Sequence, residues 1–425
     1  MGACRNASVV LAVVLSLLVG YVVRDLNAVF GPKDIAFNDG ACELLGGDQL
    51  KGGEDLTLWR DGVAIATAGD LKTTFRRGGS HAELTGVFAV SMVQAGDVPA
   101  GTVRKLELVG FPATSRLAGH GVFLSNKTQL LYVVNHGDEL TRVEIFGIEG
   151  KSFRDLRLNL VGRIESDLIP WSSANDVVEG EGVGEVFVSI WKTTRTPKEF
   201  EEKQDLLDVF NILAYRYLPI NLGSLGVLRC TGSKEAWTCA RTAAWGIPMA
   251  NGLAVSPDRK TLLVSCPLCN EIWRYSVGPG GNLTEVTPRI PLPYPADNLD
   301  WDEATGRVLM GTLPAISVGS HVPMELMAFP TQQLSQGSFQ FESLLRHDGT
   351  KLSQSSAGVQ YGEAMLLGSP YYRGLLLCHG ATNVTTCRFC PGGCIAGGRC
   401  YQDPPVGENK TAGTCKNHGG EWCGA

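Results

Sequence analysis

Five short segments of this chain repeat one layout: a metal-capable side chain at the mouth of an apolar strand, a turn, and a returning strand. They are Glu54-Asp55-Leu56, His120-Gly121-Val122, Asn175-Asp176-Val177, Asn251-Gly252-Leu253 and Asp297-Asn298-Leu299. In the fourth, Leu253 to Val255 leads through Ser256-Pro257-Asp258-Arg259-Lys260 into Leu262-Leu263-Val264, which reads as a β-hairpin. Successive segments lie roughly 45 to 75 residues apart, the length of one four-stranded propeller blade with variable loops. Equivalent positions of different blades converge on a propeller's central channel, so oxygen ligands far apart in sequence would meet around one point. Carboxylates and Asn amide oxygens suit a hard cation, and Ca²⁺, with six to eight oxygen ligands, fits best. The alternative, Asx residues capping turns, does not explain five recurrences at blade spacing.

Composition agrees with an all-β unit of this kind. The 425 residues are 44% hydrophobic and include 52 Gly and 21 Pro, enough for one large core interrupted by many turns. A net charge of −6 and the lack of a Lys/Arg-rich run with interleaved aromatics exclude a nucleic-acid footprint.

The ends read differently. Residues 1–30 hold the apolar run Ala7 to Val23, flanked by Arg5 and Arg24; at 1.5 Å per residue it spans roughly 26 Å, short for a ~30 Å hydrocarbon core. It is read as a signal peptide or an uncleaved signal-anchor, with the rest of the chain extracellular or luminal. Sequons at Asn126, Asn282, Asn383 and Asn409 agree with that side of the membrane. The propeller is expected over 31–380. Residues 381–425 form a tail in which Cys387, Cys390, Cys394, Cys400, Cys415 and Cys423 lie among Gly, Pro, Asn and Lys; so small a segment needs disulfides in place of a core, with a zinc knuckle through His418 as the other option.

Setting Cys4 aside, twelve cysteines remain, an even number that suits an oxidising compartment. Cys230 and Cys239 bracket a short polar stretch and read as a hairpin staple. Cys42 opens the globular part and Cys378 ends it, so a bridge between them would close the ring. Cys266 and Cys269 form a CxxC in a strand and its turn, read as structural rather than redox-active. Between Pro197 and Leu218, Phe200, Leu206, Leu207, Phe210, Leu213 and Tyr217 recur at helical spacing; this is either a helix packed on the propeller or a lid that touches a membrane or lipid particle.

From about Asp34 to Cys378 the chain resembles the paraoxonase/arylesterase family. The resemblance is carried by Gly53-Glu54-Asp55-Leu56, Gly119-His120-Gly121-Val122, Tyr132-Val133-Val134-Asn135-His136-Gly137-Asp138, Asn175-Asp176-Val177-Val178, Ala250 to Asp258, and Asp297-Asn298-Leu299-Asp300-Trp301-Asp302. It implies a six-bladed β-propeller and a calcium-dependent hydrolase of lactones and aryl esters. Carried over by position, a catalytic calcium would be held by Glu54, Asn175, Asn251, Asp297 and Asn298. A structural calcium would take Asp55, the carbonyl of Val122, and Asp176. His120 and His136 match the family's proposed catalytic dyad, with His120 deprotonating a water and His136 orienting it or relaying the proton. No Gly-x-Ser-x-Gly elbow is present, which disfavours a covalent serine hydrolase.

Two departures bear on activity. Where the family carries an Asn-Asp pair behind the second histidine this chain has Ile190-Trp191, and Thr73 stands where an aromatic wall residue is usual. The alternative to a hydrolase is a calcium-stabilised propeller that binds a lipid or protein without turnover.

Overall fold

The computed structural model describes residues 41–77, 82–137, 140–192, 225–233, 236–314 and 321–379, with Gly20, Phe37 and the short stretches 394–396, 399–401 and 421–422. The apolar run Ala7 to Val23, the 197–218 segment, Asn383, Asn409 and most of the cysteine-rich tail lie outside these residues. Among the described residues no helix is long and apolar enough to cross a membrane.

Six sheets follow one another along the chain, antiparallel apart from the short edge strand Leu108–Val109, which pairs parallel with Arg157–Ile164. Their first strands are Gly53–Arg60, Gly119–Leu124, Ala174–Glu179, Leu253–Val255, Ala296–Asp302 and Gly358–Tyr361, and we number blades 1 to 6 accordingly. Each first strand touches that of the next blade, and the sixth touches the first, so they form a closed ring. The strands behind are apolar without alternation, as in Val63–Ala68, Gly86–Ser91 and Glu185–Ile190, which are buried throughout. A blade packs on both faces, so both sets of side chains are covered. Six apolar layers result, one between each pair of neighbouring blades. The six-bladed propeller is thus evident in the strand order itself.

The first strand of the propeller closes the ring within the last blade. Ala41–Leu45 is not part of blade 1; it is the outer strand of blade 6 and pairs with Leu375–His379, with Cys42 opposite Cys378. The Cys42–Cys378 disulfide therefore ties the start of the propeller into its last blade. Cys230 and Cys239 sit opposite each other on Gly226–Ser233 and Ala236–Trp245 and are bridged. Cys266 and Cys269 are bridged across the turn after Thr261–Cys266. Asn126 and Asn282 are exposed.

Two glycines mark where blades meet most closely. A Cβ on Gly121 would stand 2.5 Å from the Asn175 carbonyl oxygen and from Asp176 Cα. One on Gly252 would stand 2.5 Å from Asn298 Cα and 2.6 Å from the Asp297 carbonyl oxygen. The Gly in His120-Gly121-Val122 and in Asn251-Gly252-Leu253 thus lets the backbone segments bearing the polar residues approach across the channel.

Candidate metal centre and histidine pair

The recurring polar residues all sit at the starts of the first strands, so the ring brings them to one end of the channel. Glu54 is 1% exposed. Its Oε1 accepts from Asn298 Nδ2 at 2.9 Å and lies 3.5 Å from His120 Nε2. Asn175 Nδ2 faces the same His120 Nε2 at 3.2 Å, and the Asn251 side chain hydrogen-bonds the Asp297 carboxyl. Glu54, His120, Asn175, Asn251 and Asp297 line one cavity of about 240 Å³. Blade 6 offers no ligand at its equivalent position: the Ser356 hydroxyl donates to the Glu54 carbonyl and its own carbonyl accepts from Asn298 N–H at 2.8 Å.

The amides spend their N–H groups on neighbours and leave their oxygens. Glu54 Oε2, Asn175 Oδ1, Asn251 Oδ1 and Asn298 Oδ1 are all buried without a hydrogen-bond partner. Such atoms cost about 1–3 kcal/mol each when unmatched, and four beside one another call for a cation. Asp297 points the same way, since desolvation and then the Glu54 charge push its carboxyl well above the usual range, against the bond from Asn251. The five residues fit a hard, oxygen-seeking ion. Among the described residues no group of three or more His, Cys, Asp or Glu has metal-holding geometry; three of these five donors are amides.

The neighbouring acids behave differently. Asp55 Oδ1 accepts from Leu56 N–H at 2.8 Å and Oδ2 from Val122 N–H at 2.7 Å. Asp176 Oδ1 and Oδ2 accept from Val177 and Leu253 N–H, both at 2.7 Å. Each carboxylate therefore latches its blade to the next while every oxygen keeps a second lone pair. Desolvation, followed for Asp55 by the Asp176 charge, raises both well above the carboxylate range. Asp300, on the strand Ala296–Asp302, was not singled out from sequence; burial, then Asp302 and Glu303, push it up to about 7.

The structure brings His120 and His136 together, with Nδ1 of the first 2.9 Å from Nε2 of the second. His136 Nδ1 lies 2.8 Å from Thr141 Oγ1, which accepts from Ser172 N–H at 2.6 Å. Trp191, the departure noted above, donates its indole N–H to the Ser172 carbonyl at 3.1 Å. A hydroxyl thus stands where a carboxylate was expected to be lost. Burial, then His120 and Lys192, hold the His136 pKa well below the ordinary imidazole value.

Thr73 does not leave the wall open. It bonds Asp70 Oδ1 at 3.0 Å at the start of the helix Leu71–Arg77, and two residues on, Phe75 supplies the aromatic surface. Its ring centroid is 5.1 Å from that of His136 and 6.2 Å from that of Trp171; Trp191 stands 5.9 Å from His120. Lys192 Nζ lies 3.8 Å from the Phe75 centroid and 4.1 Å from that of Trp191, a cation–π arrangement. Phe75, Trp171, Lys192 and Thr141 carry no motif, and nothing local in the sequence marks them.

The chain is similar in sequence to known proteins. The Arylesterase family matches residues 234–379. Serum paraoxonase/arylesterase 2 of Bos taurus is 26% identical over 344 residues, covering 79% of this chain and 87% of that protein. The Homo sapiens protein of the same name is 25% identical over 342 residues with the same coverage. Among solved structures, a gluconolactonase from Xanthomonas campestris superposes with a TM-score of 0.43 at 18% identity, covering 84% of this chain and 92% of that one.

Proposed function

We propose, from its similarity to the paraoxonase/arylesterase family, that the chain is a calcium-dependent hydrolase of lactones and aryl esters. The observation that carries the reading is the set of four buried, partnerless oxygens on Glu54, Asn175, Asn251 and Asn298 beside a hydrogen-bonded histidine pair. Glu54, Asn175, Asn251, Asp297 and Asn298 would hold a catalytic calcium, which supplies polarisation of the ester carbonyl and stabilisation of the developing oxyanion. A second, structural ion would take Asp55, the Val122 carbonyl and Asp176, whose mutual repulsion it would relieve.

His120 is the catalytic residue of this reading: its Nε2 faces the cavity and takes the proton of the attacking water. His136 behind it holds the ring in place, and its low pKa keeps it neutral. Phe75, Trp191, Leu268, Pro295 and Tyr371 line the cavity, a surface suited to an uncharged, apolar ester and to keeping bulk water out. The apolar segment near the N-terminus and the exposed sequon residues Asn126 and Asn282 support an extracellular or luminal propeller; contact with a membrane or lipid particle through that segment or residues 197–218 is part of the same proposal.

Among the described residues His136 Nδ1 meets the Thr141 hydroxyl rather than a carboxylate, which favours a second reading, a calcium-stabilised propeller that binds a lipid or protein without turnover. Hydrolysis of a δ-lactone and of phenyl acetate by the full chain, with calcium, after chelation and after calcium restoration, separates the two. Turnover that disappears and returns supports the hydrolase, and His120→Gln should then lower it by about 10²- to 10⁴-fold. A folded, calcium-loaded protein with no turnover overturns it.

A further inference from the structure

The chain of contacts from the metal centre to Thr141 has a direction. Asn175 must present its Oδ1 to a cation, which leaves its Nδ2–H facing His120 Nε2 at 3.2 Å. A donor there requires an acceptor, so His120 Nε2 carries a lone pair and its proton sits on Nδ1. That proton points at His136 Nε2, 2.9 Å away, which must accept it. A neutral imidazole then has its own proton on Nδ1, and Nδ1 faces Thr141 Oγ1 at 2.8 Å.

Threonine oxygen has two lone pairs. Ser172 N–H occupies one at 2.6 Å, and the other is open to His136 Nδ1–H. Ser172 is held in the left-handed region, φ 62°, with its carbonyl tied to the Trp191 indole at 3.1 Å. Left-handed backbone at a residue other than glycine persists where surrounding contacts enforce it; here the result is an amide aimed at Thr141. The opposite direction, with Thr141 donating to His136 Nδ1, would set His120 Nε2–H against the nearer Asn175 Nδ2–H, donor against donor at 3.2 Å, and leave it only the Glu54 Oε1 contact at 3.5 Å.

We propose that Thr141, oriented by Ser172 and Trp191, is a positioning residue that serves as the terminal acceptor of the histidine pair and thereby keeps His120 Nε2 unprotonated, an acceptor for Asn175 Nδ2–H in the resting site and for a water that takes its place. A hydroxyl does what a carboxylate would do for orientation, without a carboxylate's charge. The neutral state of His136, kept by burial, His120 and Lys192, makes its tautomer the quantity that matters. The Ile190-Trp191 departure is then a rewiring rather than a loss.

The test is ¹⁵N NMR of histidine-labelled, calcium-loaded full chain, with the His136 signals assigned from the His136→Gln variant. Expected are Nδ1–H and a bare Nε2 on His136. Thr141→Val should release that preference, and Thr141→Ser should retain it. The activity arm rests on the hydrolase reading: Thr141→Val should lower kcat about five- to a hundred-fold, the range for one lost buried hydrogen bond, with KM and calcium affinity unchanged and Thr141→Ser near wild type. Nε2–H on His136 in the wild type, or a tautomer indifferent to Thr141→Val, overturns the proposal. If the Val variant does not fold, the wild-type tautomer alone decides. A protein with the expected tautomer and no turnover keeps this wiring and removes the hydrolase reading, so the two fail separately.

Discussion

Removing calcium should destabilise the propeller by an amount set by the partnerless oxygens. Glu54 Oε2, Asn175 Oδ1, Asn251 Oδ1 and Asn298 Oδ1, at about 1–3 kcal/mol each, load the ion-free native state with about 4–12 kcal/mol. That rivals the whole stability of a typical domain, about 5–15 kcal/mol. An ion supplied at about a thousand times its Kd returns about 4 kcal/mol. With about 340 residues in the propeller, an unfolding entropy of about 2 cal/mol/K per residue turns this into about 6 °C of Tm. Thermal unfolding followed by circular dichroism, in chelator and in saturating calcium, reads the difference directly. Asn251→Ala removes one partnerless oxygen and one ligand together. Because it also removes the hydrogen bond to the buried Asp297 carboxyl, it should lower Tm in chelator and lower it further in calcium, shrinking the calcium-dependent rise. Equal Tm values in chelator and calcium would refute the argument, as would an Asn251→Ala loss of the same size in both.

Three further outcomes follow from the same geometry. Replacing Cys42 and Cys378 by Ala opens a loop of 336 residues; about 4.7 kcal/mol for a 100-residue loop and about 0.6 for each doubling give an entropic ceiling of about 6 kcal/mol, and urea unfolding should show a loss of about 2–6, with less than about 1 contradicting the closure role. Gly121→Ala drives a Cβ to 2.5 Å from the Asn175 oxygen and Asp176 Cα, so it should cost about 1–3 kcal/mol and weaken calcium binding measured by titration calorimetry; an unchanged affinity counts against the close approach as the reason for glycine. Asp300 is raised from 3.8 to about 7 by burial, Asp302 and Glu303. Its protonated form is favoured in the native state, so its contribution is complete below about pH 4 and lost as pH rises to about 7. Stability in chelator should fall across that window, and Asp300→Asn should flatten the fall in a pH series of urea unfolding; a slope unchanged by the substitution refutes the assignment.

What could be read along the chain was whatever repeats along the chain. The ligand-type residues at blade spacing and the apolar runs behind them are local patterns with a period, and the six sheets follow that period. Cys42 illustrates the limit: its partner was legible, but its place as an outer strand of blade 6 was not, because β-pairing at an edge depends on which edge is left open when the ring forms.

The rest needed the closed ring. Asn298 bonds Glu54 across 244 residues, and Thr141, Ser172 and Trp191 meet behind His136 from separate blades and loops. Phe75 covers the histidines from a short helix two residues past the position where an aromatic was missed. Residue type and period by themselves determined an all-β ring with oxygen donors at one end of its channel, since burial on both blade faces demands continuous apolar strands. Which oxygens would be left without partners, and which group would receive the proton of His136, only the tertiary structure decided, because a hydrogen bond is set by distances of tenths of an ångström between atoms that the chain brings together last.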